Sequence, residues 1–311
     1  MRDISEKRKL IEKEGIQHAV VRGWRKKLHF ENLPFLVKVL DVILSMTGFK
    51  SAGKRNALKL KVAESQIELK NLPGSFDGMR ILFISDIHAG KQLDRLPEVI
   101  AEATDGLKYD LCILGGDYNF DHGPLDEYAK KKLEGIAKRL SAKTQVFGVL
   151  GNHDRYSNGK LLAECGVEML VNDNVRIEKN NEAIYIAGID DNHYYRSGDV
   201  SLASEGIGEN QCSIMISHSP EPYKQIADAG YDLCLCGHTH AGQVCLPTGI
   251  PVVANATVPR KLLKGRWNHE NMQGYTSSGA GVSGVAVRFN CEPEVAVITL
   301  KKDTEGDTNQ E

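Results

Sequence analysis

The feature that most constrains this sequence is a set of five short apolar runs, each of which ends in side chains that bind metals. Apolar runs of this length, bounded by glycine and polar residues, are typical of buried strands. The runs and the groups that follow them are Ile81–Ser85 with Asp86 and His88, Leu111–Gly116 with Asp117, Val146–Leu150 with Asn152, His153 and Asp154, Cys212–Ser217 with His218, and Leu233–Cys236 with His238 and His240. In an open α/β sheet, ligands collect beyond the carboxyl ends of the strands. The five ends are therefore expected to meet in one cleft.

The rest of the chain also alternates between apolar runs and amphipathic segments. Strands are predicted at 79–85, 111–115, 145–150, 183–189, 212–217 and 232–236, and helices at 92–105, 124–140, 157–165 and 220–229. Residues 57–70 alternate apolar and polar side chains, as a half-buried strand or hairpin does. Residues 243–300 contain several strand-like runs, which indicates a second sheet or an antiparallel edge. This order predicts an α/β fold in which sheet is layered between helices.

The residue types at the five ends suit a pair of metal ions. Imidazole and carboxylate together bind Mn, Zn or Fe, and a carboxylate can bridge two ions. Two ions about 3.5–4 Å apart hold the attacking and leaving oxygens of a displacement at phosphorus. A single strand-end histidine, such as His218, is more often an ordinary polar residue. The five motifs together, in this order, favour the metal site.

These motifs resemble, in order, those of the calcineurin-like metallophosphoesterases, and the resemblance covers roughly residues 70–300. It implies a four-layer α/β sandwich, with two mixed β-sheets packed face to face and helices outside. By the same resemblance, one ion is held by Asp86, His88 and His240, the other by Asn152, His218 and His238, and Asp117 bridges both. His153 would contact the phosphate or protonate the leaving oxygen, and Asp154 would orient His153. Two divalent ions are implied, with Mn the first expectation and Zn, Fe or Mg the alternatives.

The function implied is hydrolysis of a phosphodiester or pyrophosphate bond by a hydroxide that the two metals activate. A phosphomonoesterase, a cyclic-nucleotide phosphodiesterase and a nuclease are the enzymatic alternatives. Residues 63–311 carry a net charge of −11, which speaks against a nucleic-acid substrate because such substrates need several phosphate contacts. A non-catalytic scaffold of the same fold is the alternative from another class. All the expected ligands and His153 are present, which argues against it.

The flanks of the motifs suggest a narrower resemblance. Three segments look like the membrane-associated bacterial branch of the family: residues 72–81, the sequence after His240 and residues 288–294. That branch includes hydrolases of UDP-2,3-diacylglucosamine in lipid A synthesis, so a lipid-linked nucleotide is the expected substrate. Members of the branch often begin with an evident transmembrane helix, and this sequence departs from them there. Tyr118 and Asn119, after the bridging aspartate, replace the commoner aliphatic residue.

The amino-terminal region differs from the rest in charge. Residues 1–62 carry a net charge of +9, which indicates either an anionic partner or a solvated helical face. Residues 33–49 are mostly apolar but include Lys38 and Asp41. The segment is too short and too charged for a comfortable membrane span, and basic residues flank it. We expect an interfacial helix, with membrane contact through residues 20–55; packing on the domain or on a second subunit is the alternative. The domain boundaries predicted are a basic amphipathic arm at 1–56, the catalytic domain at 57–302 and a disordered tail at 303–311.

Seven cysteines without a secretory signal favour a reducing cytoplasm, so the expected location is the inner face of the membrane. Arg155 is a candidate to clamp the phosphate or to pair with a nearby carboxylate. Arg260 lies in a basic loop that would either cover the cleft or be solvated. His122, His193 and His269 match no motif and are left out of the predicted site. Arg288 is expected to pair with Glu292 or Glu294.

Overall fold

The computed structural model describes residues 3–14, 34–252 and 255–303, the side chains of residues 14 and 34–38 excepted. The helices are α1 Glu6–Glu14, α2 Pro34–Met46, α3 Phe49–Ala57, α4 Leu96–Asp105, α5 Glu127–Ser141, α6 Tyr156–Glu164, α7 Val200–Ala203 and α8 Tyr223–Asp228. The strands are β1 Lys61–Leu69, β2 Arg80–Ile84, β3 Leu111–Leu114, β4 Gln145–Gly148, β5 Val167–Met169, β6 Asp173–Lys179, β7 Glu182–Gly188, β8 Ser213–Ile216, β9 Leu233–Cys236, β10 Gly265–His269, β11 Met272–Thr276 and β12 Glu294–Lys302.

The strands form two six-stranded sheets. The first has the order β1-β12-β2-β3-β4-β5 and the second β10-β11-β9-β8-β7-β6. In the first sheet β2, β3, β4 and β5 are parallel, and β12 is antiparallel to β2 but parallel to β1. In the second, β7, β8, β9 and β11 are parallel, and β6 and β10 are antiparallel edges. Both sheets are therefore mixed, as predicted.

The apolar runs are continuous because both faces of each central strand are covered. In β2, Ile81 and Phe83 belong to the core between the two sheets, whereas Leu82 and Ile84 pack under the helices outside the first sheet. A strand buried on both faces has no position for a polar side chain. The arrangement is helices, sheet, sheet, helices, which confirms the predicted four-layer α/β sandwich.

The six strands predicted between residues 79 and 236 are present, with ends shifted by at most two residues. The carboxyl-terminal region departs most from the expectation. β10 and β11 join the second sheet, but β12 lies inside the first sheet, between β1 and β2. β5, β6 and α7 were not predicted. β6 is an edge strand in which no residue is buried, so it lacks the apolar pattern by which strands are recognised.

The amino-terminal region is described in part. Residues 15–33, which include much of the predicted membrane contact, and residues 304–311 of the predicted tail lie outside the described residues. In α1, Arg8 and Ile11 are buried. In the described part of the chain, no helix has the length and apolar character needed to cross a bilayer. The boundary at residue 57 stays a prediction.

Candidate metal centre

The carboxyl ends of β2, β3, β8 and β9 are joined by hydrogen bonds that bring the two sheets together at one edge. The Asp86 amide donates to the Gly116 carbonyl (2.9 Å), and the Gly237 amide donates to the His218 carbonyl (2.8 Å). Between the sheets, the His238 amide donates to Asp86 Oδ1 (3.0 Å). The approach is close: a Cβ on Gly116, where φ is +91°, would lie 2.9 Å from His218 Nδ1. Only glycine fits this position without strain.

Asp86, His88 and His240 form the first group of possible metal ligands. One donor atom from each lies within 4.8 Å of the others. His88 Nε2 is 3.0 Å from His240 Nε2, and His240 Nε2 is 3.5 Å from Asp86 Oδ1. His88 follows β2 of the first sheet and His240 follows β9 of the second, so this group requires both sheets.

Asp117, His218 and His238 form the second group, again with donor atoms within 4.8 Å of one another. His218 Nε2 lies 3.2 Å from Asp117 Oδ2. Asn152 Oδ1 lies 3.0 Å from His218 Nε2 and 2.8 Å from His238 Nδ1. Asn152 therefore lies beside the three residues of this group.

Asp117 lies between the two groups. Its Oδ2 atom is 3.5 Å from His88 Nε2 in the first group and 3.2 Å from His218 Nε2 in the second. A third possible ligand set, made of His88, Asp117 and His153, also falls within 4.8 Å. The geometry thus places Asp117 where it can bridge two ions, and brings His153 within reach of the same cluster.

Backbone carbonyls fix the proton on four of these imidazoles. Nδ1 lies near a carbonyl oxygen in His88 (Asn119, 2.9 Å), His153 (Phe120, 2.8 Å) and His218 (Gly115, 2.7 Å), and Nε2 does so in His238 (Asn255, 3.0 Å). A carbonyl only accepts, so that nitrogen carries the hydrogen, and in the neutral ring the other nitrogen presents its lone pair to the centre. This pattern is typical of metal-binding histidines.

Burial changes the protonation of the cluster. It raises the pKa of Asp86, and it raises the pKa of Asp117 to about 7. Burial and neighbouring positive groups lower the pKa of His88 to about 3 and hold the pKa values of His238 and His240 well below their usual range. Burial alone would lower the pKa of His218, but the Asp117 carboxylate raises it to about 10. Carboxylates that burial destabilises are stabilised by a bound cation.

Five of the predicted ligands have positive φ angles: Asp86 (56°), His88 (46°), Asp117 (56°), His238 (69°) and His240 (47°). For residues with a Cβ, this conformation costs on the order of 1–3 kcal/mol each and persists where the surrounding structure enforces it. These five are among fourteen described non-glycine residues with positive φ. Convergent donors, fixed tautomers and strained backbone together fit a divalent metal centre.

His153 lies at the edge of the cluster with one unsatisfied nitrogen. Its Nε2 is buried and has no hydrogen-bond partner among the described residues. Its ring packs edge-on against His88, with centroids 4.8 Å apart. Burial is the main cause that holds the pKa of His153 well below its usual range.

Asp154 does not hold the His153 ring as expected. Its carboxylate accepts from the amides of Gly151 (2.8 Å), Asp117 (2.8 Å) and Tyr118 (2.9 Å), while the ring of His153 is held by the Phe120 carbonyl. The reason is that the loop after β4 folds back toward the end of β3, where two amides point at the carboxylate and the Gly151 amide of the same loop adds a third. Asp154 therefore positions the loop of the bridging Asp117.

Two histidines excluded by sequence belong to the site. The His122 ring stacks on His153 (centroids 4.0 Å apart) and its Nδ1 donates to the Asn152 carbonyl (3.1 Å). The His193 ring is 4.2 Å from His238 and its Nδ1 is 3.2 Å from Glu221 Oε2. Tyr194 stacks on the other side of His122, with centroids 5.2 Å apart. His269, in contrast, packs against Tyr223.

Arg288 also departs from the expectation. Its fully buried guanidinium donates to the carbonyls of Ser278 (2.7 Å), Gly279 (3.0 Å) and Gly281, and its Nη2 lies 3.2 Å from His240 Nδ1. Glu294 accepts instead from the Tyr275 hydroxyl, and Glu292 pairs with Lys61. Arg288 therefore joins residues 278–281 to the turn that carries His240, because its guanidinium donates to carbonyls of that segment and also contacts the His240 ring.

The two predicted substrate residues differ in exposure to solvent. Arg155 immediately precedes α6, and its buried Nε has no hydrogen-bond partner among the described residues. Its positive charge opposes the effect of burial, which raises the pKa of Tyr194. Arg260 is exposed at the start of the 3-10 turn Arg260–Leu262. A role in substrate binding stays a prediction for both.

Comparison with known proteins relates this centre to a family. A model of the family described as calcineurin-like phosphoesterase matches residues 79–242, more than half of the chain. The uncharacterized metallophosphoesterase YkoQ of Bacillus subtilis is 29% identical over 273 residues, which cover 84% of this chain and 98% of that protein. The phosphodiesterase YaeI of Escherichia coli is 29% identical over 233 residues, covering 71% of this chain and 82% of that protein. A transmembrane protein with metallophosphoesterase domain from Bos taurus is 27% identical over 289 residues, covering 86% of this chain but only 62% of that protein.

Proposed function

The chain belongs to the calcineurin-like phosphoesterase family and is a hydrolase of phosphate esters, and from that premise we propose that it cleaves a phosphodiester or pyrophosphate bond at a two-metal centre. The observation that carries the proposal is the position of Asp117 between two groups of donor atoms, within 3.5 Å of a histidine from each. Asp86, His88 and His240 would hold one ion, and Asn152, His218 and His238 the other. Mn is the metal we propose first, on the basis of the mixed imidazole and carboxylate ligands.

When bound, two divalent ions polarise the phosphoryl group and lower the pKa of water, so that the attacking oxygen is available at neutral pH. The chain's own residues do the rest. The backbone carbonyls at Asn119, Gly115 and Asn255 keep three imidazole lone pairs directed at the centre.

His153 is the residue proposed to assist the leaving group. Its Nδ1 is engaged by the Phe120 carbonyl, so any second proton is held at the buried and unpartnered Nε2. The negative charge of a phosphate beside Nε2 would favour that second proton, because it opposes the effect of burial. From there the proton can pass to the leaving oxygen, as general acid catalysis requires.

For the substrate we propose an amphiphilic lipid-linked nucleotide such as UDP-2,3-diacylglucosamine, bound while the protein lies on the inner face of a membrane. The apolar and basic composition of residues 20–55 supports this proposal. In the described part of that segment, Val42, Ile43 and Met46 of α2 are more than half exposed. Exposed apolar side chains grouped on one helix are typical of an interaction surface.

An activity screen of the purified full-length chain tests the proposal. Bis-p-nitrophenyl phosphate, p-nitrophenyl phosphate and UDP-2,3-diacylglucosamine would each be assayed with Mn, Zn, Fe(II) and Mg. We expect metal-dependent diester hydrolysis and release of UMP from the lipid. Turnover of bis-p-nitrophenyl phosphate alone would indicate a soluble substrate, and no turnover with any metal would indicate a scaffold.

Replacement of His153 tests its role separately. His153→Ala should lower kcat by about 10²–10⁴-fold, the usual contribution of a general acid. His269→Ala is the matched control, since its ring packs against Tyr223. If His153→Ala hydrolysed the diester at the wild-type rate, the acid role would belong to another residue.

A further inference from the structure

A groove of about 370 Å³ opens beside the metal centre. Its volume falls within the range of roughly 300–1,000 Å³ that small-molecule sites occupy. One end is formed by His238 and His240, which are proposed ligands. The walls are mainly apolar and include Leu40, Leu44, Val244, Val252, Val287 and Phe289. Whatever fills the groove is therefore next to the bond that the enzyme cleaves.

Two of the polar side chains that line the groove, Gln243 and Thr239, are already hydrogen-bonded within the protein. The Gln243 amide nitrogen donates to the carbonyls of Ser283 (2.9 Å) and Val285 (2.8 Å), and its oxygen accepts from the Ser283 amide (2.8 Å). The Thr239 hydroxyl donates to the Leu263 carbonyl (2.6 Å). A polar ligand would have to break these bonds or leave its own groups unpaired, and either would cost free energy. The lining therefore favours an apolar ligand.

The segments that line the groove also carry exposed apolar side chains. From α2 and α3, Met46 is 84% exposed and Phe49 57%, and from the facing loop Leu246 is 50% and Val252 60% exposed. These two segments are about 200 residues apart in sequence, yet Leu44 and Val252 line the same groove. Exposed apolar side chains on these segments suit a ligand that is delivered from an apolar phase.

We propose that this groove binds the hydrocarbon chain of an amphiphilic phosphoester whose phosphorus lies at the metal centre. The inference rests on the proposed phosphoesterase function and adds the site of the chain. Leu40 and Leu44 make α2 one wall of that site, so the helix selects the substrate as well as facing the membrane.

Binding of a homologous series tests the proposal without turnover. Methyl-, butyl- and octylphosphonate would be titrated calorimetrically into the full chain with Mn present. Each methylene that enters an apolar site can strengthen binding up to roughly fourfold. We expect octylphosphonate to bind at least about tenfold more tightly than methylphosphonate.

A variant that fills the groove identifies the site of the chain. Leu44→Trp should remove most of the dependence on chain length and leave methylphosphonate affinity unchanged. The matched control is Val42→Trp, on the same helix but more than half exposed and outside the groove lining. Equal affinities across the series in the wild type, or an unchanged series in Leu44→Trp, would overturn the proposal.

The two proposals fail in different ways. If bis-p-nitrophenyl phosphate is hydrolysed but the phosphonate series shows no dependence on chain length, the phosphoesterase function stands and the chain site is wrong. If no ester is hydrolysed, but octylphosphonate binds more tightly than methylphosphonate and Leu44→Trp abolishes that difference, the proposed site of the chain stands and the catalytic proposal fails.

Discussion

Arg8 and Asp190 form an ion pair from which solvent is excluded, although they are 182 residues apart in sequence. Arg8 Nη2 also donates to the Asp154 carbonyl (2.7 Å), and its guanidinium lies 3.9 Å from the ring centroid of Tyr195. The pair thus connects α1 to the two loops that carry His153 and His193. Helix α1 lies outside residues 79–242, which match the family model, and yet it holds the loops around the metal centre.

We expect Arg8→Met to destabilise the fold strongly. Without the guanidinium, the Asp190 carboxylate would be left buried and unpaired, which typically costs about 3–5 kcal/mol. Urea denaturation followed by circular dichroism would measure the free energy of unfolding. Lys9→Met is the control, because the ion pairs of Lys9 with Asp3 and Glu6 are exposed and such pairs contribute little. Equal stability of the two variants would show that α1 is not fixed through Arg8.

Metal binding should stabilise the native state. A ligand at 100 times its dissociation constant raises the free energy of unfolding by about 2.7 kcal/mol. Thermal unfolding with Mn and then with a chelator would measure the difference. Asp117→Asn should lose most of the stabilisation by metal, whereas Glu168→Gln, at an exposed position of β5, should keep that stabilisation. An undiminished effect in Asp117→Asn would mean that the ions bind elsewhere.

His122→Ala should slow catalysis although His122 is not a proposed ligand. Its ring packs on His153, and its Nδ1 holds the carbonyl of Asn152. Loss of such a supporting contact typically costs about 10–100-fold in activity or metal affinity. Steady-state kinetics would compare kcat of His122→Ala with that of His269→Ala, which we expect to match the wild type. Equal kcat values for both variants would remove His122 from the site.

Met46→Asp should weaken binding to anionic vesicles. Met46 is 84% exposed on α2, and burying a side chain of this size is worth roughly 1.5–3 kcal/mol, which is about tenfold or more in binding. Co-sedimentation with liposomes would measure the partition coefficient. Leu10→Asp, which alters an exposed apolar residue of α1, is the control. If both variants partitioned like the wild type, α2 would not be the contact.

The sequence predicted the fold and the convergence of donor atoms because both follow from buried strands. The strands that lead into the site, β2, β3, β4, β8 and β9, are apolar up to their carboxyl ends. The first polar residue after each run therefore marks its end, and parallel strands place their ends together. The same reasoning applied to β7 would have found Asp190 and His193, because they follow the apolar run that ends at Ile189.

Other parts of the site could not be read in this way. Arg8 lies in a helix rich in charged residues, and nothing in its neighbours distinguishes the one arginine that becomes buried. The family resemblance assigns Asp154 to His153, but the fold directs the Asp154 carboxylate to backbone amides. Proximity in sequence favours a pair between Arg288 and Glu292 or Glu294, but the fold directs the Arg288 guanidinium to backbone carbonyls. These contacts depend on how distant loops meet.

The most direct test of this account is anomalous diffraction from crystals of the full chain grown with Mn. We predict two anomalous peaks about 3.5–4 Å apart, both coordinated by Asp117, with His88 at one and His218 at the other. A single peak, or two peaks of which only one is coordinated by Asp117, would contradict the proposal that this carboxylate bridges two metal ions.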